Sequence, residues 1–199
     1  MDKSVGEHVS PKDYLVVIGA SGGGLEAMTE LLRRLDVSYQ RPTVFVLHQR
    51  AHRVSGVPSV LARLTHLRVV EPEDKQAIEA GYLYVAPPDY HLLVEPGKTF
   101  AYSVDRPVNY SRPSIDLLFE SAAEVYRNRV VACILSGANR DGVVGAQAIK
   151  RRGGKVLVQS PETAKVAVMP RTVVYEVAVD ASLPLSELAL VLLEKPWLD

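Results

Sequence analysis

Leu15-Val16-Val17-Ile18-Gly19-Ala20-Ser21-Gly22-Gly23-Gly24-Leu25-Glu26-Ala27-Met28 joins an apolar, mostly β-branched run to a glycine-rich turn, after which apolar residues recur at helical spacing: Leu25, Met28, Leu31, Leu32 and Leu35. The reading is strand, tight turn, helix. Such a turn presents free N–H groups at a helix N-terminus, which suits either a phosphate or a serine lifted out of a sheet beside donors for an oxyanion. The phosphate reading fits poorly. A dinucleotide fingerprint needs glycine where Ser21 stands and an acid where the next strand ends in His48, and no Gly-Lys-Ser/Thr follows for a Walker loop. The nucleophile reading gains from the same residues: Gly19-Ala20-Ser21-Gly22-Gly23 fits G-x-S-x-G, and a histidine at the next strand end could reach the serine if the two strands are neighbours. From the turn alone, a purely structural Gly/Ser turn stays open as the alternative.

The length of 199 residues suits one α/β domain with a core large enough to need no disulfide or metal. Lys plus Arg and Asp plus Glu number 23 each, so bulk charge gives no reason to expect nucleic acid or an anionic membrane as partner. Cys133, the single cysteine, lies in an apolar run and reads as a small buried hydrophobe. Residues 1–13 read as a polar, flexible leader without an apolar signal core, and 14–199 as the domain. The longest apolar runs, such as Leu188 to Leu193, are too short to cross a bilayer, so a cytoplasmic protein is expected.

Strand Tyr14 to Ile18, helix Leu25 to Leu35 and strand Thr43 to Leu47 make a parallel βαβ unit. That arrangement puts Ser21 and His48 on the carboxyl edge of a sheet, where open α/β folds build their sites. Arg50 to Ser55 reads as a basic lip, and Pro58 to Leu64 as a short helix. His48 and His52 are four apart, but strand character at Pro42 to Leu47 argues against zinc. Leu67 to Val70 reads as a strand; Gly81 to Val85, His91 to Val94 and Thr99 to Tyr102 read as an antiparallel excursion. His91 has no evident acid partner and reads as a structural histidine. Ser114 caps the next helix, with Asp116 in its first turn stabilised by the dipole. Strand Val130 to Leu135 ends in a second polar turn, Ser136 to Gly142, which opens a helix to Arg151. Strand Lys155 to Gln159, a helix-like Pro161 to Val168, a break at Met169-Pro170, and a last strand and helix complete the alternation.

Three side chains thus top the predicted sheet: Ser21, His48 and Asp141. A serine hydroxyl needs a base to take its proton, and an imidazole serves best when a carboxylate fixes its tautomer. Their order, Ser then His then Asp, differs from that of α/β-hydrolases, and no histidine follows His91 to serve the other arrangement. Plain structural roles stay open for all three: a cap, a strand-end hydrogen bonder and a second cap.

Val17-Ile18-Gly19-Ala20-Ser21-x-Gly23-Gly24, Leu47-His48, Ala86-Pro87-x-Asp89-x-His91, Arg112-Pro113-Ser114-x-Asp116-x-Leu118-Phe119, Leu135-Ser136-Gly137-x-x-x-Asp141-Gly142 and Met169-Pro170-Arg171 occur in this order. Together they resemble the catalytic domain of CheB, the chemotaxis protein-glutamate methylesterase. The resemblance implies a doubly wound, mostly parallel sheet with helices on both faces and a small antiparallel hairpin. It further implies hydrolysis of glutamate methyl esters on a methylated chemoreceptor or similar signalling protein, with glutamine deamidation beside it and no cofactor or metal. Carried over residue by residue, Ser21 matches the nucleophile, His48 the general base and Asp141 the orienting acid. Gly22, Gly23, Gln49, Arg112, Ala138, Arg140 and Met169 are the expected oxyanion or substrate contacts. The family usually carries a hydroxyl residue where Gly22 stands and Met-Gly where Ala138-Asn139 stands; it also usually carries an N-terminal receiver domain, for which the leader before Tyr14 leaves no room, so that either regulation differs here or the chain is a fragment. Two other functions fit the same edge: a catalytically altered binding module, and a serine esterase or amidase acting on small metabolites.

Overall fold

The computed structural model describes residues 13–49 and 56–194. The expected leader, apart from Asp13, and the expected basic lip with His52 lie outside the described residues. In chain order the strands are β1 (Leu15–Ala20), β2 (Thr43–Leu47), β3 (Arg68–Val70), β4 (Tyr82–Val85), β5 (His91–Glu95), β6 (Thr99–Ser103), β7 (Val130–Ile134), β8 (Lys155–Gln159) and β9 (Ala181–Leu183). The helices are α1 (Gly24–Leu32), α2 (Val57–Leu61), α3 (Ile115–Tyr126), α4 (Val143–Arg151), α5 (Val168–Glu176) and α6 (Leu185–Glu194). Seven strands form one parallel sheet in the order β3-β4-β2-β1-β7-β8-β9, and β5 and β6 form a separate antiparallel pair.

The alternation of β1 sets the two layers. Leu15 and Val17 point into a core shared with α3, α4 and Met169 and Val173 of α5, whereas Val16, Ile18 and Ala20 point into one shared with α1 and α6. Because both faces are covered, β1, β2 and β7 are buried at every residue. The chain leaves β1 towards β2 on one side and returns to β7 on the other. The point where strand order reverses is therefore the carboxyl end of β1, the place where doubly wound sheets bind their ligands.

Besides shifts of a few residues at the ends of α1 and α2, the structure differs from the sequence reading at β4 and α5. β4 joins the parallel sheet beside β2 and β3 and is not part of the antiparallel piece, because Leu83 and Tyr84 are both fully buried, as an interior strand requires. The helix expected over 161–168 is instead a run of turns, and α5 begins at Val168 and passes through Met169-Pro170. Proline is tolerated there because a first-turn N–H has no intrahelical acceptor.

Helices α3 and α4 meet at Gly145, where a methyl group would lie 2.5 Å from Phe119 Cβ and 2.9 Å from the Asp116 carbonyl oxygen. That approach brings the two helix N-termini together under the end of β7. Gly145→Val should separate them and lower unfolding free energy by about 1–3 kcal/mol, measured by urea titration, and an unchanged midpoint would contradict the close approach.

Candidate active site

The turn after β1 is held by its neighbours. Ser21 N–H donates to the Ser136 carbonyl at 2.9 Å, His48 N–H to the Ala20 carbonyl at 3.0 Å, and Gly24 N–H to the Ser21 carbonyl at 2.8 Å. Ser136, itself buried, donates its hydroxyl to the Gly22 carbonyl at 2.7 Å and accepts from Val166 N–H at 2.9 Å, which ties three segments together. Gly23, the N-cap of α1, has φ +76°, and a methyl group there would lie 2.7 Å from Ser136 Oγ. Glycine alone meets both demands. Among the described residues, the N–H groups of Gly22, Gly23 and Ala138 have no hydrogen-bond partner. A methyl group at Gly22 would lie 3.9 Å from that of Ala138, so these two residues face each other across the turn.

His48 Nε2 lies 2.8 Å from Asp141 Oδ2. A carboxylate accepts and does not donate, so Nε2 carries the proton and donates it to Asp141. On the other side of the ring, Nδ1 is 3.1 Å from Asn139 Nδ2 and 3.2 Å from Ser111 Oγ. The orientation of the Asn139 amide follows from its other end, where Oδ1 accepts from Asp141 N–H at 3.2 Å. Nδ1 therefore presents its lone pair to these two donors.

Asp141 has no exposed surface. Besides His48, its oxygens accept from Ile115 N–H at 2.7 Å, Asp116 N–H at 3.1 Å, Ser114 Oγ at 3.1 Å and Asn109 Nδ2 at 3.3 Å. It thus caps α3, although it precedes α4 in the chain. Asp116 does the reverse: from the first turn of α3 it accepts from Gly142 and Gly145 N–H, each at 2.8 Å, and so caps α4. Asn109 Nδ2 reaches both acids, at 3.0 Å for Asp116. The dipole of its own helix is thus the lesser part of Asp116's role.

The two acids titrate in opposite directions. Burial pushes Asp116 up to about 7, the Asp141 charge adds to this, and the Gly145 and Gly142 N–H groups oppose it. Burial would also raise Asp141, but the hydrogen bonds from His48, Ile115 N–H and Asp116 N–H outweigh it and hold the carboxyl below its ordinary value.

The sequence-derived candidates divide by position. Ser21, His48 and Asp141 converge on the carboxyl ends of β1, β2 and β7, with His48 bonded to Asp141. The Ser21 hydroxyl makes no hydrogen bond to a described residue, and Nδ1 meets Ser111 and Asn139 instead. Gln49 and Arg112 line a cleft of about 260 Å³ beside His48, with Asp89, Tyr110 and Ser111; Arg112 also donates to the Val104 and Asp105 carbonyls. Arg140 pairs with Glu176 at 2.9 Å on the exposed rim and does not reach Asp141. Met169 is buried beneath Gly137, where a methyl group would lie 2.6 Å from its Cε. It shapes the turn that carries Ala138 and is not a surface contact. Cys133 is fully buried, and burial pushes its thiol up to about 12. His91 is buried too, its Nδ1 accepting from Ser114 N–H and its Nε2 facing the Arg106 carbonyl, each at 3.2 Å. No described helix is long and apolar enough to cross a membrane.

Ser111, Asn109 and the Asn139 side chain are site residues that no motif in the sequence marks. Asn109-Tyr110 between two short runs was the available signal, since Asn favours turns.

The CheB methylesterase family profile matches residues 16–192. The chain belongs to the CheB methylesterase family. It is 44% identical over 174 residues to a putative protein-glutamate methylesterase/protein-glutamine glutaminase of Leptospira interrogans, covering 87% of this chain and 90% of that one. It is 34% identical to the protein-glutamate methylesterase/protein-glutamine glutaminase of Thermotoga maritima, of which it spans 50%. The crystal structure of the Thermotoga maritima CheB methylesterase catalytic domain superposes with a TM-score of 0.87 at 33% identity, covering 94% of this chain and all of that one. The parallel sheet with its antiparallel pair is therefore the fold of this family's catalytic domain.

The Asp116 shift has a definite sign. Between its ordinary value of 3.8 and about 7, Asp116 ionises in the unfolded chain but stays protonated in the folded one, so this group's contribution to stability falls as pH rises through that window. Asp116→Asn does not titrate. The unfolding free energy of the variant minus that of the parent should therefore rise from about pH 4 to about pH 7 and level off above; a difference constant with pH would contradict the buried-acid assignment.

Proposed function

We propose that this chain hydrolyses γ-carboxyl methyl esters of glutamate on chemoreceptor-type signalling proteins, with Ser21 as nucleophile, His48 as general base and Asp141 as orienting acid. The observation that carries the reading is the His48–Asp141 hydrogen bond at 2.8 Å, on a histidine that follows β2 directly as Ser21 follows the adjoining β1. The protein-glutamate methylesterase names of relatives supply the substrate class.

The chemistry follows from the ring orientation. Ser21 rotates its hydroxyl towards Nδ1, displacing Asn139 or Ser111, and attacks the ester carbonyl as Nδ1 takes its proton. Asp141 holds the proton on Nε2 and stabilises the imidazolium. The developing oxyanion lies between the unpartnered N–H groups of Gly22 and Ala138, whose side chains differ from the family's usual ones while the backbone donors persist. Imidazolium then protonates the departing methanol, and water, activated by the same nitrogen, hydrolyses the acyl-enzyme. A glutamine side chain gives the same acyl-enzyme with ammonia leaving, which agrees with the glutaminase in the relatives' names.

Ser21→Ala should leave the fold intact and cut methanol release from a methylated chemoreceptor by about three to six orders of magnitude. Asp141→Asn should lower release by about 10²–10⁴-fold and also destabilise the protein, because an amide nitrogen replaces one of the two oxygens that accept from Ile115 and Asp116 N–H. Undiminished release from pure Ser21→Ala protein would exclude Ser21 as nucleophile, and release confined to small esters would favour a metabolite esterase.

A further inference from the structure

Between β6 and α3, Val108 and Ser111 exchange backbone hydrogen bonds, at 3.1 Å from Val108 N–H and 2.8 Å from Ser111 N–H. The two residues between them, Asn109 and Tyr110, both have left-handed backbones, with φ +49° and +63°. This is a primed two-residue turn, whose central positions favour Asn and Gly. Asn109 fits. Tyr110 does not, because a bulky residue at positive φ is strained.

Nothing in the fold compensates the tyrosine. Its side chain is fully exposed, at 104% of the reference accessibility, while both neighbours are anchored: Asn109 to Asp116 and Asp141, Ser111 to His48 Nδ1. The turn thus holds an aromatic ring in solvent on a base fixed to the catalytic groups, at the rim of the cleft that His48 lines. Turn propensity predicts glycine there, and core packing gives no reason for a ring. Strain retained at an exposed position beside a reactive group points to a contact made only when a partner is present. Tyrosine suits such a contact, because it buries a large area at the cost of only two side-chain torsions and is enriched at protein interfaces.

We propose that Tyr110 is a specificity-determining contact, its ring packing on the segment of the protein substrate that flanks the methyl ester and so distinguishes a protein-borne ester from a small soluble one. The inference rests on the function proposed above, and binding separates the two. In the Ser21→Ala background, affinity is measured for a purified chemoreceptor cytoplasmic fragment methylated enzymatically. Tyr110→Gly should weaken binding by about tenfold, whereas Tyr110→Phe should keep it within about twofold. The thermal midpoint of Tyr110→Gly should equal or exceed that of the parent, because glycine relieves the positive φ. Equal affinity of the glycine variant, a lowered midpoint, or no binding by the parent would each overturn the proposal. If the affinity loss appears but the Ser21-bearing protein releases no methanol, the contact stands and the hydrolytic reading fails.

Discussion

A carboxylate with no exposed surface is costly unless donors surround it, and Asp141 meets that condition with donors from separate parts of the chain: the N-terminus of α3 with its cap Ser114, the Asn109 turn, and the end of β2. Each of those segments is fixed by reaching it. The crossing of caps, Asp141 onto α3 and Asp116 onto α4, locks the two helix N-termini against each other where Gly145 lets them touch. The acid bonded to the imidazole is therefore also the acid that joins these segments. On the proposed mechanism, stability and chemistry share this one group.

The same carboxylate fixes which imidazole nitrogen carries the proton. With the proton held on Nε2, the lone pair on Nδ1 is met by two donors, Asn139 and Ser111. In this resting arrangement the base is oriented but occupied. Asn139 couples the two ends of the pair, since its amide nitrogen meets His48 while its oxygen accepts from the Asp141 backbone. On the proposed mechanism, the Ser21 hydroxyl replaces one neutral donor at Nδ1 with another, which changes the number of hydrogen bonds little.

Much of this architecture is legible in the chain because it is written locally. The β-branched run into Gly19-Ala20-Ser21, the apolar spacing of α1 and the continuous run of β7 each announce their element within a short stretch of sequence. Placing Ser21, His48 and Asp141 on one edge follows from the βαβ alternation alone. What does not show are contacts between distant segments. Ser111 meets a histidine 63 residues away, and no spacing rule reports that. Asp116 reads as an ordinary first-turn acid until α4 is laid across it. β4 reads as part of the hairpin excursion because its burial on both faces depends on strands distant in sequence, and the start of α5 is missed because Met169-Pro170 stops a helix in its interior but not in its first turn.

The central claim, that His48 Nδ1 serves Ser21 and not the hydroxyl that meets it at rest, is most directly tested by reacting the protein with a p-nitrophenyl alkylphosphonate and mapping the modified peptide by mass spectrometry. The account predicts one adduct, on Ser21, that does not form in His48→Gln protein. An adduct on Ser111, or modification of Ser21 that is indifferent to His48, would contradict it.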